Sequence, residues 1–254
     1  MNTFEHKCVL AGPCALAGVP ESCNAKCPFY VAMHGATGDG GLVARANIPA
    51  DYKLATIANS PVRKEQPRAY ALIDEYVKTF NRQFEEGAAQ IKSLYLFSPS
   101  PGTGKTYTAS ALANEYLIRH YLGSRFRGVN ALERPVYFLS FNRWHSLFHE
   151  FNRRNVPEHI GGPAADAYYT AHEIAKRVPF LVIDDIGVRH ASEAFNMDVL
   201  DLVDARVSNR LPTVYTSNVP IDTLSDLYDD RVFDRVRDLC VPIEFTGTSK
   251  RGIR

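Results

Sequence analysis

The chain has 254 residues, of which 45% are hydrophobic and 22% charged, and Lys+Arg 29 against Asp+Glu 28 leave a net charge of +1. This apolar fraction is typical of a folded protein and excludes a mostly disordered chain. The sequence lacks a run of about 18 apolar residues, which a membrane span requires, and its first residues lack a basic-then-apolar signal pattern. We therefore expect a cytoplasmic protein without membrane contact, built as one large domain or as a main domain with a small appendage.

Four of the five cysteines lie within the first 27 residues, at Cys8, Cys14, Cys23 and Cys27. Thiols stay reduced in the cytosol, so clustered cysteines there indicate a metal site before a disulfide framework. Four thiolates, or three together with His34, would give Zn²⁺ its tetrahedral ligands. An iron–sulfur cluster also uses four cysteines, and unrelated buried thiols are the remaining alternative. We predict a small Cys-rich, zinc-binding module over residues 1–45 and a second domain over residues 46–254.

The rest of the chain alternates apolar strand-like runs with helical patterns. A glycine-rich stretch at 35–41 first indicates a linker or a tight loop. The hydrophobic periodicity then predicts helices over 68–84, 105–121, 144–151 and 197–207, and strands over 94–97, 136–141, 180–183, 213–216 and 241–245. This alternation predicts an α/β fold with a parallel, doubly wound sheet.

Residues 99–106, Pro-Ser-Pro-Gly-Thr-Gly-Lys-Thr, lie between a predicted strand and a predicted helix. Small residues in this place let backbone N–H groups converge on a phosphate. A lysine then contacts the β- and γ-phosphates, and a threonine hydroxyl contacts Mg²⁺. The sequence departs from the usual pattern at Pro99, where a glycine is expected. The predicted ATP/ADP-binding residues are Pro101, Gly102, Thr103, Gly104, Lys105 and Thr106.

Polar residues end two further apolar strands. Asp184 and Asp185 follow the strand over 180–183, and Asn218 follows the strand over 213–216. Strand ends of a parallel sheet meet at one edge, beside a bound phosphate. We predict that Asp184 and Thr106 hold Mg²⁺, that Asp185 orients or deprotonates the attacking water, and that Asn218 positions it.

Two local charge patterns complete the candidate residues. Residues 119–154 contain seven Arg, no Lys and two acids, a local net charge of +5 that permits binding of a polyanion. Arg231 and Arg235 are four residues apart, so they share one face of a helix. Each pattern alone also fits an ordinary solvated face.

Taken together, these motifs resemble the AAA+ ATPases that load bacterial and phage replicative helicases, the DnaC/DnaI type. The resemblance covers residues 46–254 and rests on Ile48-Pro49, Gly102-Thr-Gly-Lys-Thr106, Ile183-Asp-Asp-Ile-Gly187, Thr216-Ser-Asn218, Asp230-Arg-Val-Phe-Asp-Arg235 and Thr248-Ser-Lys-Arg251.

The resemblance implies roles for single residues. Asn218 is similar to the family's first sensor, and Arg235, with Arg231 beside it, to an arginine finger that reaches the nucleotide of a neighbouring subunit. Arg251 resembles the arginine of a terminal Ser-aromatic-Arg motif, although Lys250 replaces the aromatic residue. The chain ends there, which leaves little or no room for a helical lid.

The resemblance also implies partners. Loaders of this type face single-stranded DNA through a helical insertion after the second strand, where Arg143, Arg153 and Arg154 would contact phosphates and Trp144 would stack on a base. The Cys-rich module occupies the position of a helicase-binding domain. The expected partners are a replicative DNA helicase, single-stranded DNA and further copies of this chain, in a bacterial cell and with a possible phage origin.

Three functions remain open on the sequence. The leading one is an ATP-dependent helicase loader in replication initiation, with hydrolysis stimulated by single-stranded DNA and by oligomerisation. A transposition-helper ATPase would use the same motifs on duplex DNA. A zinc-containing nucleic-acid-binding protein with a relic phosphate loop is the third, and Pro99 alone favours it.

Overall fold

A computed structural model describes residues 3–187, 192–226 and 230–249. The predicted role of Arg251 falls outside these ranges, and of Arg231 only the backbone is described. Nucleotide-site, metal and DNA candidates otherwise all lie within the described residues.

Five short strands form one parallel sheet. They are β1 (Ser93–Phe97), β2 (Val136–Ser140), β3 (Phe180–Asp184), β4 (Thr213–Ser217) and β5 (Cys240–Glu244), in the order β2-β3-β4-β1-β5. Every neighbouring pair runs parallel, with Ser140 opposite Asp184 and Phe97 opposite Ser217. The carboxyl ends of β1, β3 and β4 therefore meet at one edge. The parallel α/β fold that the sequence predicts is confirmed.

Eight α-helices are described. They are α1 (Pro28–His34), α2 (Gly41–Arg45), α3 (Pro67–Lys78), α4 (Lys105–Phe126), α5 (Phe141–Phe151), α6 (Glu158–Arg177), α7 (Glu193–Ser208) and α8 (Asp230–Leu239). Short 3₁₀ helices lie at Glu5–Lys7, Ala50–Tyr52, Thr79–Phe84 and Ile221–Asp226. Among these described helices, none has both the length and the apolar character of a membrane span.

The sheet separates two hydrophobic clusters. In β1, Leu94 and Leu96 belong to the cluster shared with α3 and α4, whereas Tyr95 between them belongs to the cluster shared with α5, α6 and α7. Successive strand residues point to opposite faces, which is why almost every strand position can be apolar when both faces are covered. The result is three layers: helices, sheet, helices.

The N-terminal segment packs on the first of these layers. Val9, Leu10 and Met33 are buried in the same cluster as α4, and the rings of Phe29 and Tyr121 lie 6.3 Å apart. The stretch 35–41 forms a tight turn from the end of α1 into the first residue of α2. Its last residue, Gly41, has φ +66°, and a Cβ there would lie 2.5 Å from backbone atoms of Met33, so only glycine fits the turn.

Helix α6 is absent from the sequence-based elements. Gly161, Gly162 and Pro163 near its beginning obscure the helical pattern, because glycine and proline are poor helix formers. A proline costs little in the first turn of a helix, where its missing N–H would have no partner within the helix. Pro163 is the sixth residue of α6 and lies beyond that turn, so it removes one helical hydrogen-bond donor. Helix α5 begins at Phe141 rather than at residue 144, which places Asn142 in its first turn.

Candidate functional site

The loop at residues 99–106 joins β1 to α4 at the carboxyl edge of the sheet. Gly102 and Gly104 adopt φ values of +72° and +99°, which L side chains rarely adopt. A Cβ on Gly104 would lie 2.6 Å from Cγ2 of Val62, so the space is closed as well as the conformation. The loop thus has the small residues and the turn that a phosphate-binding loop needs.

Lys105 points back across this loop. It is 7% exposed, and its Nζ donates hydrogen bonds to the carbonyl oxygens of Ser98 (3.4 Å) and Ser100 (3.2 Å). The same atom donates to Oδ1 of Asn218 at 2.9 Å. The structure therefore brings together the lysine of the loop and the amide at the end of β4, residues 113 positions apart in the chain.

Thr106, in the first turn of α4, forms a side-chain hydrogen bond with Asp184, the last residue of β3. The hydroxyl of Thr216 donates to Oδ1 of Asp184 at 2.7 Å. Burial raises the pKa of Asp184, while hydrogen bonds from Thr216 and Thr106 act in the opposite direction. A carboxylate and a hydroxyl adjacent to a phosphate loop are the oxygen donors that Mg²⁺ prefers, so these residues fit the predicted magnesium site.

Asp185 has a left-handed backbone conformation, and its carboxylate accepts hydrogen bonds from two side chains. Its φ is +65°, and its N–H bonds Oγ1 of Thr216 at 2.8 Å. Nδ2 of Asn218 donates to Oδ1 at 3.0 Å, and Nδ2 of Asn142 donates to Oδ2 at 2.7 Å. Each carboxylate oxygen therefore accepts one amide hydrogen bond, which fixes the orientation of the group.

Sequence reasoning missed Asn142. The residue follows β2, and β2 neighbours β3 with Ser140 opposite Asp184, so the ends of both strands reach the same edge. The usable signal was the end of the predicted strand at 141, directly before a polar residue. Asn142 reads as an ordinary residue of a basic segment unless strand order is known.

Arg235 lies on α8, far along the sequence from the phosphate loop. Its side chain is 53% exposed, and Nε lies 2.9 Å from Oδ1 of Asp204 on α7. Val236 beside it is buried against the α7 layer. The arginine therefore sits at the surface, where it is ion-paired with Asp204 of its own chain.

The predicted DNA residues divide into two groups. Arg143, Arg153 and Arg154 are exposed, and Arg143 has a loose ion pair with Glu150 at 3.8 Å. Trp144 is only 1% exposed. The expectation that it stacks on a base is wrong, because its side chain is buried in the core.

The surroundings of Trp144 explain this correction. Its ring stacks on Tyr168 with centroids 5.0 Å apart and an interplanar angle of 8°, and its Nε1 donates to the carbonyl oxygen of Tyr168 at 3.3 Å. His172 stacks nearby at 5.5 Å. Trp144 thus anchors α5 to α6.

The four N-terminal cysteines line one cavity of about 20 Å³, room for about one water-sized sphere. All are free thiols, and burial raises the pKa of Cys8, which the neighbouring Cys14, Cys27 and Cys23 raise further. Within the described part of the chain, no group of three or more His, Cys, Asp or Glu side chains has the arrangement of a formed metal site. The zinc prediction therefore stays a prediction.

His34 is engaged elsewhere. Its Nε2 accepts a hydrogen bond from the N–H of Val9 at 3.0 Å, and burial lowers its pKa to about 4. A neutral imidazole that accepts from the backbone serves the packing of α1, so the cysteines alone are the stronger ligand set. Cys240 in β5 is partly buried, and burial raises its pKa.

A second cavity, of about 380 Å³, adjoins the phosphate loop. It is lined by Glu65, Gln66, Thr103 and residues 246–248. Gln66 holds this wall together, because its Nε2 donates to the carbonyl oxygen of Thr246 at 2.6 Å and its Oε1 accepts the N–H of Thr246 at 3.1 Å. The volume lies within the usual range of small-molecule sites, about 300–1,000 Å³.

Comparison with known proteins finds relatives by sequence similarity. No family model matches the chain. It is 28% identical to the replicative helicase loader DnaC of Escherichia coli K12 over 159 residues, which are 61% of this chain and 55% of that protein. The matched segment thus spans about half of the curated relative. This similarity confirms the resemblance to DnaC/DnaI-type loaders that the motifs predict.

Solved structures share the fold. The crystal structure of DnaI aligns with a TM-score of 0.56 and 23% identity, covering 82% of this chain and 99% of that one. The replication initiator DnaA, bound to AMPPCP and single-stranded DNA, aligns with a TM-score of 0.53 and 18% identity over 79% of this chain and 51% of that one. At such identities the alignments concern the fold alone.

Proposed function

We propose that this chain is an ATPase that loads a replicative DNA helicase onto single-stranded DNA. The observation that carries the proposal is the hydrogen-bonded series Lys105–Asn218–Asp185, which joins the phosphate loop to a catalytic carboxylate through one amide. A relic phosphate loop has no need of this arrangement. The similarity to loaders named DnaC supports the choice of partner.

Nucleotide binding falls to the loop and the cavity beside it. Backbone N–H groups of residues 102–106 surround the phosphates, and the ammonium of Lys105 neutralises them. Lys105 exchanges its carbonyl partners for phosphate oxygens, which as anions are stronger acceptors. The 380 Å³ cavity lined by Gln66 and Thr103 has room for the nucleoside.

Thr106 and Asp184 would hold the magnesium ion. When bound there, Mg²⁺ neutralises charge on the β- and γ-phosphate oxygens. The structural basis is the contact of both side chains with each other and the burial of Asp184. Asp184 in turn is oriented by the hydroxyl of Thr216, which donates to its carboxylate and accepts a hydrogen bond from the backbone N–H of Asp185.

Hydrolysis requires a group that orients water in line with the γ-phosphate. Asp185 takes this role, because its carboxylate is held by the amides of Asn142 and Asn218 and remains able to accept a proton. Asn218 bonds both Lys105 and Asp185, so it senses a phosphate at the first and aligns the second. Arg235 acts on the site of a neighbouring subunit, with Arg231 beside it, and Arg251 remains an additional candidate for the nucleotide.

Contact with DNA falls to the exposed arginines Arg143, Arg153 and Arg154. Arg143 directly follows Asn142, whose amide bonds the carboxylate of Asp185. DNA bound at Arg143 would therefore lie within one helical turn of the residue that holds this carboxylate. The N-terminal segment contacts the helicase. Self-association then places Arg235 at the next nucleotide site.

Two measurements test this function. ATP hydrolysis should rise on addition of single-stranded DNA and should be absent in Lys105→Ala. The purified chain should form a complex with a replicative helicase in the presence of ATP and release it on hydrolysis. Stimulation by duplex DNA without helicase binding would instead indicate a transposition helper, and nucleic-acid binding without ATPase activity would indicate a relic loop.

The second part of the proposal is that Cys8, Cys14, Cys23 and Cys27 bind one Zn²⁺ per chain. It rests on their convergence on one small cavity. Zinc would supply the N-terminal segment with a tetrahedral cross-link of thiolates. Elemental analysis of the purified protein should give one zinc per chain, whereas iron with visible colour would assign a cluster and no metal would leave four partly buried free thiols.

A further inference from the structure

We propose that Asp204 is the positioning residue of Arg235: the ion pair between its carboxylate and the guanidinium restricts the arginine to an orientation that faces the nucleotide of the neighbouring subunit. The inference rests on the proposed role of Arg235 in trans. It adds a residue outside the sequence motifs. It also predicts on which side of a subunit interface this residue acts: the side that donates the arginine, not the side that holds the nucleotide.

The contact has a particular geometry. The shortest distance between the two side chains joins Nε of Arg235 to Oδ1 of Asp204, at 2.9 Å. A guanidinium grips phosphate or carboxylate oxygens bidentately with pairs of N–H groups. The pairing with Asp204 is a contact between opposite charges rather than a hydrogen bond, because Oδ1 of Asp204 has no hydrogen-bond partner among the described residues. More than half of the arginine side chain is exposed, so its terminal amino groups can reach a group outside their own chain.

The backbone beneath this pair is fixed. Val203, beside Asp204, and Val236, beside Arg235, are each 1% exposed and belong to the same hydrophobic cluster. Helices α7 and α8 are therefore locked together by apolar packing that does not need the ion pair. The remaining freedom lies in the arginine side chain, whose rotamers the carboxylate restricts.

A half-exposed ion pair contributes little to folding stability. The value of Asp204 must therefore be sought in orientation, which is worth most where a charged group has to meet a transition state in one geometry. This separates the proposal from a structural role: removal of the carboxylate should change hydrolysis and leave unfolding nearly unchanged.

The chain supplies a matched control on the same helix. Asp201 lies one turn before Asp204 and pairs with Lys176 of α6 at 2.8 Å, with 52% of its side chain exposed against 41% for Asp204. Both carboxylates thus pair with a basic side chain of a neighbouring helix, and Asp201 also lies 3.4 Å from Nε2 of His172. Only Asp204 directs its pair to α8.

The experiment compares Asp204→Asn, Asp204→Glu, Asp201→Asn, Arg235→Ala and Lys105→Ala as purified full-length chains, with ATP binding measured in dilute protein and hydrolysis at concentrations that allow assembly. Asp204→Asn should bind ATP as the wild type does and lose oligomer-dependent hydrolysis by about tenfold. Asp204→Glu should recover part of this loss, and Asp201→Asn should hydrolyse ATP as the wild type does. Thermal unfolding of all variants shows whether each is folded.

Mixing variant subunits then tests on which side of the subunit interface Asp204 acts. Asp204→Asn mixed with Lys105→Ala should regain activity, because the latter supplies an intact Arg235–Asp204 pair to the intact site of the former. Asp204→Asn mixed with Arg235→Ala should gain nothing, because both defects lie on the side that donates the arginine.

Three results would overturn the inference. Normal hydrolysis in Asp204→Asn beside an impaired Arg235→Ala would remove Asp204 and leave the proposed function intact. Recovery between Asp204→Asn and Arg235→Ala would place Asp204 on the nucleotide side. Normal hydrolysis in Arg235→Ala would remove both the finger and its positioning residue.

Discussion

Asn142 donates a hydrogen bond from Nδ2 to Oδ2 of Asp185 at 2.7 Å, and so joins the first turn of α5 to the end of β3. The next residue on that helix is Arg143, a predicted DNA contact. A small rotation of α5 on binding DNA would therefore move the amide that holds the catalytic carboxylate. Under the proposed function, this bond would couple single-stranded DNA on α5 to the orientation of Asp185 during hydrolysis.

Replacement of Asn142 by Ala should lower turnover by roughly tenfold, about 1.4 kcal/mol in barrier, and leave ATP affinity unchanged, since Asp185 loses orientation but not charge. Steady-state hydrolysis together with equilibrium nucleotide binding checks this. Asn152→Ala is the control, because that amide bonds the carbonyl of Phe148 at the other end of α5. Equal turnover in the two variants would deprive the Asn142 contact of a catalytic role.

Lys105 and Asp185 should separate binding from turnover. Lys105→Ala removes the ammonium at the centre of the phosphate loop, so we expect ATP binding to fall by at least tenfold. Asp185→Asn keeps the shape and loses the ability to accept a proton, so binding should persist while hydrolysis stops. Fluorescent-nucleotide titration and phosphate release measure the two effects. A parallel loss of binding in both variants would show that this division of roles is wrong.

Arg206 is a buried cation whose hydrogen bonds within the described residues go to a hydroxyl and to carbonyl oxygens, with no carboxylate among them. It is 1% exposed, and its guanidinium donates to Oγ1 of Thr213 and to the carbonyl oxygens of Ala175, Val178 and Pro212 at 2.6–2.9 Å. Burial lowers its pKa to about 10. These bonds join the end of α6, the end of α7 and the start of β4.

Arg206→Met should therefore cost about 3 kcal/mol of unfolding free energy, because it leaves several buried carbonyls without a donor. For a chain of this length that corresponds to a Tm lower by about 6–12 °C. Arg177→Met, which removes an arginine whose side chain is 81% exposed, should change stability by less than about 0.5 kcal/mol. Calorimetry of both variants is the measurement, and similar melting temperatures would show that the buried bonds carry no net stability.

The exposed arginines of the α5 region should contribute to DNA affinity through phosphate neutralisation. Each contact with a single strand adds about 0.7 to the slope of log K against log salt. Replacing Arg143, Arg153 and Arg154 together by Ala should flatten the slope by up to about two units, as read from anisotropy titrations at several salt concentrations. A slope that stays the same in the triple variant would make this tract an ordinary solvated face.

The cysteines provide a prediction with an internal control. Cys8→Ser should abolish zinc binding and loosen the N-terminal segment, because a metal site with one ligand lost binds much more weakly. Cys240→Ser should keep the zinc content of the wild type, since that thiol lies in β5. Zinc content and protease sensitivity of residues 1–45 are the readouts, and equal zinc content in both variants would contradict the assignment.

Most of the sheet and the phosphate loop follow from local patterns. The apolar runs of β1–β5 stand out because both faces of a parallel sheet are covered, and glycine at Gly102 and Gly104 is required by left-handed backbone. The strand ends also predicted the meeting of Lys105, Asp184 and Asn218. These features depend on residues near one another in sequence or on strands that end at one edge.

The remaining features depend on contacts that no local pattern encodes. Asn142 reaches Asp185 only because β2 lies beside β3, and Asp204 meets Arg235 only through the packing of α7 on α8. Trp144 was misassigned for the same reason: a tryptophan in a basic segment reads as exposed until Tyr168 of the unpredicted α6 covers it. Tertiary packing decided each case.

The two outer strands determine how copies of this chain can meet. Along β2, the N–H of Phe138 bonds the carbonyl of Ala46, and Nδ2 of Asn47 bonds the carbonyl of Phe138, so preceding chain already occupies that border. The other border, β5, contains Pro242, which lacks an N–H for a further strand. Growth of the sheet by strand addition is thus blocked at one end and weakened at the other, which disfavours fibrillar association. The self-association proposed above would then use surfaces other than the sheet borders, so that subunits could join and separate without exchanging any part of the sheet.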